Sequence, residues 1–167
     1  IFGPDGETIL SVTGSVEFFL WDVETATILH KFQGHRGPID DVALTPDGRH
    51  AITGAADRSM VLWDMENEDI IYHLMEHGRS VRSVAFSPDG STFISASKDR
   101  KAIVWDATTG QSIRTLEGHS DGLQGVVYSP DGKTALTCSS DRTLILWDIE
   151  TGEILQTFEG HEDDVYK

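Results

Sequence analysis

Basic charge is scarce in this chain of 167 residues: 13 lysines and arginines face 28 aspartates and glutamates, giving a net charge of −15. A protein that grips nucleic acid by its phosphates needs clustered Lys and Arg. Here they are scattered, and the densest group, Lys98, Arg100 and Lys101, is interrupted by Asp99. No nucleic-acid partner is expected, and the acidity reads as solubility. Cysteine is nearly absent. Cys138 stands alone and cannot form an internal disulfide, which fits a reducing compartment and suggests a cytoplasmic location. Long hydrophobic runs are missing too. Nothing approaches the roughly 20 apolar residues of a membrane helix, and no basic, apolar leader opens the chain, so no membrane partner is expected. The first residue is Ile1 and not methionine, which fits a segment removed upstream.

What is present is a repeat. Trp21, Trp63, Trp105 and Trp147 are spaced 42 residues apart, and each is followed by aspartate. His35, His77, His119 and His161 keep the same period, as do the Pro-Asp-Gly triplets beginning at Pro4, Pro46, Pro88 and Pro130. No insertion or deletion breaks the register. Within one period, short runs rich in β-branched and aromatic residues (His50–Ala55, Met60–Trp63, Ile70–Leu74, Val81–Phe86) lie between Gly, Pro and Asp turns. Such runs predict strands, and no amphipathic segment of helical length survives between the turns. Four strands per period make one propeller blade.

Gly34-His35, Gly118-His119 and Gly160-His161, paired with Trp63-Asp64, Trp105-Asp106 and Trp147-Asp148, resemble the WD40 repeat over the whole chain. Two departures stand out: Glu76 replaces the glycine before His77, and Ser15-Val16 replaces the Asp-Arg of the other repeats. The implied fold is all-β, a propeller of four-stranded antiparallel blades. Repeat units are expected at about 1–37, 38–79, 80–121 and 122–163, with 164–167 starting a further inner strand. The chain spans four periods less one residue. It would begin inside an innermost strand at Ile1-Phe2 and end inside the equivalent one at Val165-Tyr166-Lys167. The expectation is either further blades in a longer chain or a homodimer closing an eight-bladed ring.

The resemblance also assigns a structural network to three in-phase sets: His35, Thr53, Asp57, Trp63; His77, Ser95, Asp99, Trp105; and His119, Thr137, Asp141, Trp147. In each, aspartate accepts from histidine, histidine from the hydroxyl, and the hydroxyl from the indole. The same residue types suggest hydrolytic triads. Three equivalent copies with mid-strand hydroxyls fit one active site poorly, so no catalytic residue is expected. No metal site is expected either, since the histidines lack a neighbouring ligand and Glu66 to Asp69 lacks the glycine and alternating oxygens of a calcium loop. No cofactor is implied.

In the family, the loops after histidine and around the buried aspartate share one face, here called the top. Top positions differ between repeats: in phase, Asp40, Arg82, Gln124 and Tyr166, and Ala56, Lys98 and Ser140; in the loop after histidine, Arg36, Arg79 and Ser120. Positions dictated by the fold would repeat, whereas a recognition rim is free to vary, so these ten are the candidate partner-binding residues. The expected function is a non-catalytic scaffold that presents a rigid propeller face to a protein or peptide. The alternative is a sensor or regulatory domain of a larger signalling enzyme whose catalytic part lies elsewhere.

Overall fold

A computed structural model describes residues 1–166, so the expected strand residue Lys167 lies outside the described residues. All regular structure among them is β. The first sheet joins β1 (Thr8–Val12), β2 (Glu17–Asp22) and β3 (Ile28–Gln33). The second runs β4 (Ile39–Leu44), β5 (His50–Ala55), β6 (Met60–Asp64) and β7 (Asp69–Leu74). The third runs β8 (Val81–Phe86), β9 (Thr92–Ser97), β10 (Lys101–Asp106) and β11 (Ser112–Glu117). The fourth runs β12 (Leu123–Tyr128), β13 (Thr134–Ser139), β14 (Leu144–Asp148) and β15 (Ile154–Phe158). Consecutive strands pair antiparallel throughout, as in propeller blades.

The repeated turns explain the strand boundaries. In each Pro-Asp-Gly turn the glycine takes the left-handed conformation, with φ between 71° and 74° at Gly6, Gly48, Gly90 and Gly132, a region that costs glycine nothing. In three of them the aspartate accepts a hydroxyl two residues back: Thr45 to Asp47, Ser87 to Asp89 and Ser129 to Asp131, each at 2.6 Å. The aspartates after tryptophan likewise accept backbone N–H groups two or three residues on, as Asp64 does from Glu66 and Asn67. Much of the chain's acidity is therefore turn chemistry.

Three apolar clusters glue neighbouring blades. Leu10, Phe18 and Phe32 of the first sheet pack on Ile39, Val42, Val61 and Trp63 of the second. Phe18 and Phe32 stack with centroids 4.4 Å apart, and both meet Trp63 edge-on. Ile52, Met60, Leu62 and Leu74 pack on Val81, Val84, Phe93 and Trp105. Ile94, Val104 and Leu116 pack on Leu123, Val126, Ile145 and Trp147. Each blade thus offers one face to its predecessor, through its tryptophan, and a second to its successor.

The first sheet has three strands, since only Phe2 bridges Ile9 where most of the innermost strand is missing, as expected. One expectation about the strands needs correction. Val165 and Tyr166 form no strand, although Val165 N–H reaches Ser139 O at 3.2 Å. A strand needs a ladder that satisfies its alternate backbone groups, and this single bond to the end of β13 does not make one.

Candidate interaction face and the networks beneath it

The histidines sit between blades, at the entry to each innermost strand. His77 places Nδ1 2.8 Å from Asp99 Oδ2 and Nε2 2.8 Å from Ser95 Oγ, and Trp105 Nε1 donates to the same hydroxyl at 2.9 Å. His119 repeats this with Asp141 at 2.8 Å, Thr137 at 2.8 Å and Trp147 to Thr137 at 2.8 Å. The indole can only donate, so the hydroxyl oxygen accepts from it and donates to Nε2, which leaves the imidazole proton on Nδ1 for the carboxylate. Asp99 and Asp141 then tie the hairpin turn to the histidine loop by accepting from Gly78 N at 2.8 Å and Ser120 N at 2.9 Å.

His35 differs. Its Nε2 meets Thr53 at 2.7 Å, and Trp63 donates to Thr53 at 2.9 Å, but Nδ1 meets Ser59 Oγ at 2.9 Å and lies 3.4 Å from Asp57. Ser59 relays the bond by donating to Asp57. The expected direct His35–Asp57 contact is thus replaced by a hydroxyl bridge. Thr143, in the same phase, donates to Asp141 at 2.7 Å and lies 3.3 Å from His119 Nδ1, whereas Lys101 fills that position in the third sheet and pairs with Glu117 at 2.7 Å. Sequence reasoning missed Ser59 and Thr143. Their signal was present as a hydroxyl two residues after the aspartate in two of three repeats.

Burial is the strongest single influence on Asp99 and raises its carboxyl, but the His77 imidazole and the Gly78 and Lys101 N–H groups outweigh it and hold the group at about 2. Asp141 is balanced the same way, with burial opposed by the Thr143 hydroxyl, His119 and Ser120, and also settles at about 2. For His35, burial pushes the imidazole down against the pull of Asp57. The Thr53, Ser95 and Thr137 side chains are fully buried and already accept from an indole, so they offer no hydroxyl to a substrate.

Above the networks, the innermost strands carry a β-bulge at the same place. Pairing skips Asp40, Arg82 and Gln124, so each turns out of its ladder toward the top. There they join around the propeller axis. Arg82 donates through Nη1 to Asp40 at 2.8 Å and through Nε to Gln124 at 3.4 Å, and Gln124 donates to Ser140 at 2.7 Å. Beneath them Ser83 donates to Asp41 at 2.9 Å.

Six of the ten candidate rim residues line one polar groove of about 440 Å3: Arg79, Arg82, Lys98, Gln124, Ser140 and Tyr166, with Asp121 and Asp164 beside them. Asp40 reaches this group through Arg82. The other three lie apart. Arg36 borders a separate hollow with Asp57, Ser59, His73 and Met75. Ser120 is exposed beside Asp141. Ala56 contributes its carbonyl, which accepts from Ser80 at 3.3 Å.

The family model described as "WD domain, G-beta repeat" matches residues 26–64, 68–106 and 110–148. The chain belongs to the WD40-repeat family. WD40 repeats generally mediate protein–protein interaction as scaffolds and are typically non-catalytic. Each matched stretch holds one of the three WD40 networks of histidine and aspartate, while β1 and β2, with Ser15 between them in place of the carboxylate, and β15 fall outside. No curated protein matches the chain. No helix of the described residues is long and apolar enough to cross a membrane.

Glu76 has a steric counterpart. A Cβ on Gly34 would sit 2.8 Å from Trp63 and 3.0 Å from Ile70; on Gly118 it would sit 2.9 Å from both Trp147 and Ile154. In the WD40 blade where Glu76 replaces this glycine, Ser112 replaces the isoleucine. The larger residue is admitted where its neighbour has shrunk.

Proposed function

We propose that this WD40 chain is a non-catalytic scaffold that receives a polar protein segment in the top groove between the third and fourth sheets. One observation carries the reading: residues that differ between repeats converge there, held by strands that repeat one register. Arg82 is already answered by Asp40 at 2.8 Å and serves to fix the groove floor. Lys98 and Arg79 are exposed at its wall and supply the cationic contacts. Gln124 and Ser140 offer a shared amide and hydroxyl, suited to a backbone or side-chain amide. The favoured ligand is thus an extended segment with at least one carboxylate, aimed at Lys98 and Arg79 and flanked by polar groups. The nearby Asp121 and Asp164 disfavour a uniformly acidic one.

Selection of peptides from a random displayed library on the immobilised chain tests this. Selected peptides should carry a carboxylate and lose affinity with the Arg79→Ala/Lys98→Ala double variant. Peptides indifferent to that variant would remove the groove from consideration.

A further inference from the structure

Equivalent strand ends are strapped together in two sheets and open in a third. In the first sheet Glu17, at the start of β2, takes Lys31 at 2.8 Å and the Gln33 amide, both near the end of β3. In the third sheet Lys101, at the start of β10, pairs with Glu117, at the end of β11, at 2.7 Å. In the second sheet the in-phase residues are Ser59, His73 and Met75. Ser59 is short and turned inward, meeting His35 Nδ1 at 2.9 Å and donating to Asp57. No bridge forms there, and a hollow of about 360 Å3 opens, lined by Arg36, His73 and Met75 together with Gly34, Asp57 and Ser59. One blade later Glu76 takes the place of Gly34 and lies close enough to stabilise the Lys101 charge.

The groups around the hollow are unevenly satisfied. Asp57 already accepts from four donors: Arg36 N–H at 2.7 Å, Gly37 N–H at 3.1 Å, Ser59 N–H at 3.0 Å and the Ser59 hydroxyl. A carboxylate offers about four lone-pair sites, so Asp57 has none left for a ligand. The Arg36 guanidinium and the His73 imidazole are exposed, and among the described residues neither has a hydrogen-bond partner. Met75 beside them is 70% exposed. Free donors next to a bare thioether suit an anion carried close to an apolar group. In phase with Met75 stand Gln33, Glu117 and Glu159, so no other repeat combines a free cation with an apolar side chain here.

We propose that this hollow captures the C-terminal residue of a partner protein: Arg36 and His73 take the terminal carboxylate, and Met75 packs against an apolar last side chain. No ordinary side chain is both apolar and anionic, whereas a terminal residue carries both groups on one α-carbon. The guanidinium fork matches a carboxylate bidentately, and the flexible thioether adapts to the shape of the side chain. Capture of a free chain end is a recurring mode of peptide recognition. The site lies along the outermost strand of a sheet that packs on both neighbours, on the first through Trp63 and on the third through Leu62. It shares no residue with the top groove and stands independently of it.

An array of random hexapeptides fixed by their N-termini, each in free-acid and amidated form, tests this with the labelled chain. The strongest free-acid signals should end in leucine, isoleucine, methionine or phenylalanine and vanish on amidation. By fluorescence anisotropy, such a peptide should bind about tenfold or more weakly to Arg36→Ala, the cost of a charged hydrogen bond. Met75→Glu, which sets an anion in the mouth as in the third sheet, should weaken it in the same direction. Both positions are exposed, and circular dichroism checks that the variants fold. Arg79→Ala/Lys98→Ala should leave this peptide's affinity unchanged. An array without carboxyl-dependent binders overturns the proposal, as do amidated peptides that bind equally well or an internal glutamate that replaces the chain end. Free-acid peptides that depend on Arg79 and Lys98 and not on Arg36 belong to the groove, and they too overturn it.

Discussion

The imidazole of His77 and the carboxylate of Asp99 meet at 2.8 Å, whereas His35 and Asp57, in the same phase one blade earlier, stand 3.4 Å apart with Ser59 between them. The two aspartates should therefore respond differently to removal. Asp99→Ala leaves His77 Nδ1 and the Gly78 N–H without their acceptor and should cost roughly 2–4 kcal/mol. Asp57→Ala leaves Ser59 on His35 and should cost about half as much. Denaturant midpoints measure both; a loss under about 0.5 kcal/mol for Asp99→Ala would falsify the buried network.

The glycine before histidine yields a paired prediction. Gly118→Ala drives a methyl into Trp147 and Ile154 and should destabilise by about 1–3 kcal/mol. With Ile154 first cut to serine, as nature has Ser112, the same change should cost measurably less. Glu76→Gly should stay within about 0.5 kcal/mol. A double-mutant cycle on thermal unfolding reads the coupling, and a coupling of zero would separate the two positions.

Acid should weaken the fold in two stages. His35 is neutral and buried, with its ordinary value pushed down, so the unfolded chain takes a proton first and stability starts to fall below about pH 6.5. Asp99 and Asp141 are lowered from 3.8 to about 2, so their contribution is whole above about pH 4 and is lost as pH falls toward 2. Each shift corresponds to about 2 kcal/mol. Urea midpoints from pH 8 to 2 should show a shallow decline and then a steep one. In Asp99→Asn the steep part should shrink; an unchanged profile would detach the carboxylate from the stability.

Arg82 and Lys98, neighbours on one groove, should part company when truncated. Arg82→Ala strips Asp40 of its cation, and among the described residues Asp40 Oδ2 is already buried without a hydrogen-bond partner. A loss of about 1–3 kcal/mol is expected. Lys98→Ala should stay within about 0.5 kcal/mol while weakening the selected peptides. Equal effects on stability would show that Arg82 is as free as Lys98.

The strand pattern was legible because it repeats. His50–Ala55 and Val81–Phe86 were bounded by turn residues whose backbone chemistry is local, and the structure starts and ends them at those residues. The rim was legible only as a set of varying positions. That Arg82 bonds Asp40 was hidden because attention to the variation treated in-phase residues as independent, although blades side by side place residues 42 apart next to each other. The opposite charges at 40 and 82 were the available clue. Ser59 was hidden for a different reason: just before a strand a serine reads as solvated turn, and only the loop folded back from His35 brings it a donor.

Every ladder in these sheets joins consecutive strands, and the cross-blade bonds from Arg82 and Ser83 span a single period. Closing a blade therefore never requires waiting for a distant segment. As the polypeptide leaves the ribosome, each 42-residue increment can complete its own hairpins and then dock on a surface already formed, so the order of synthesis and the order of assembly coincide. Such a chain has no single obligatory nucleus. Slowing translation within one blade should delay that blade and those after it, and leave the earlier ones protected from hydrogen exchange.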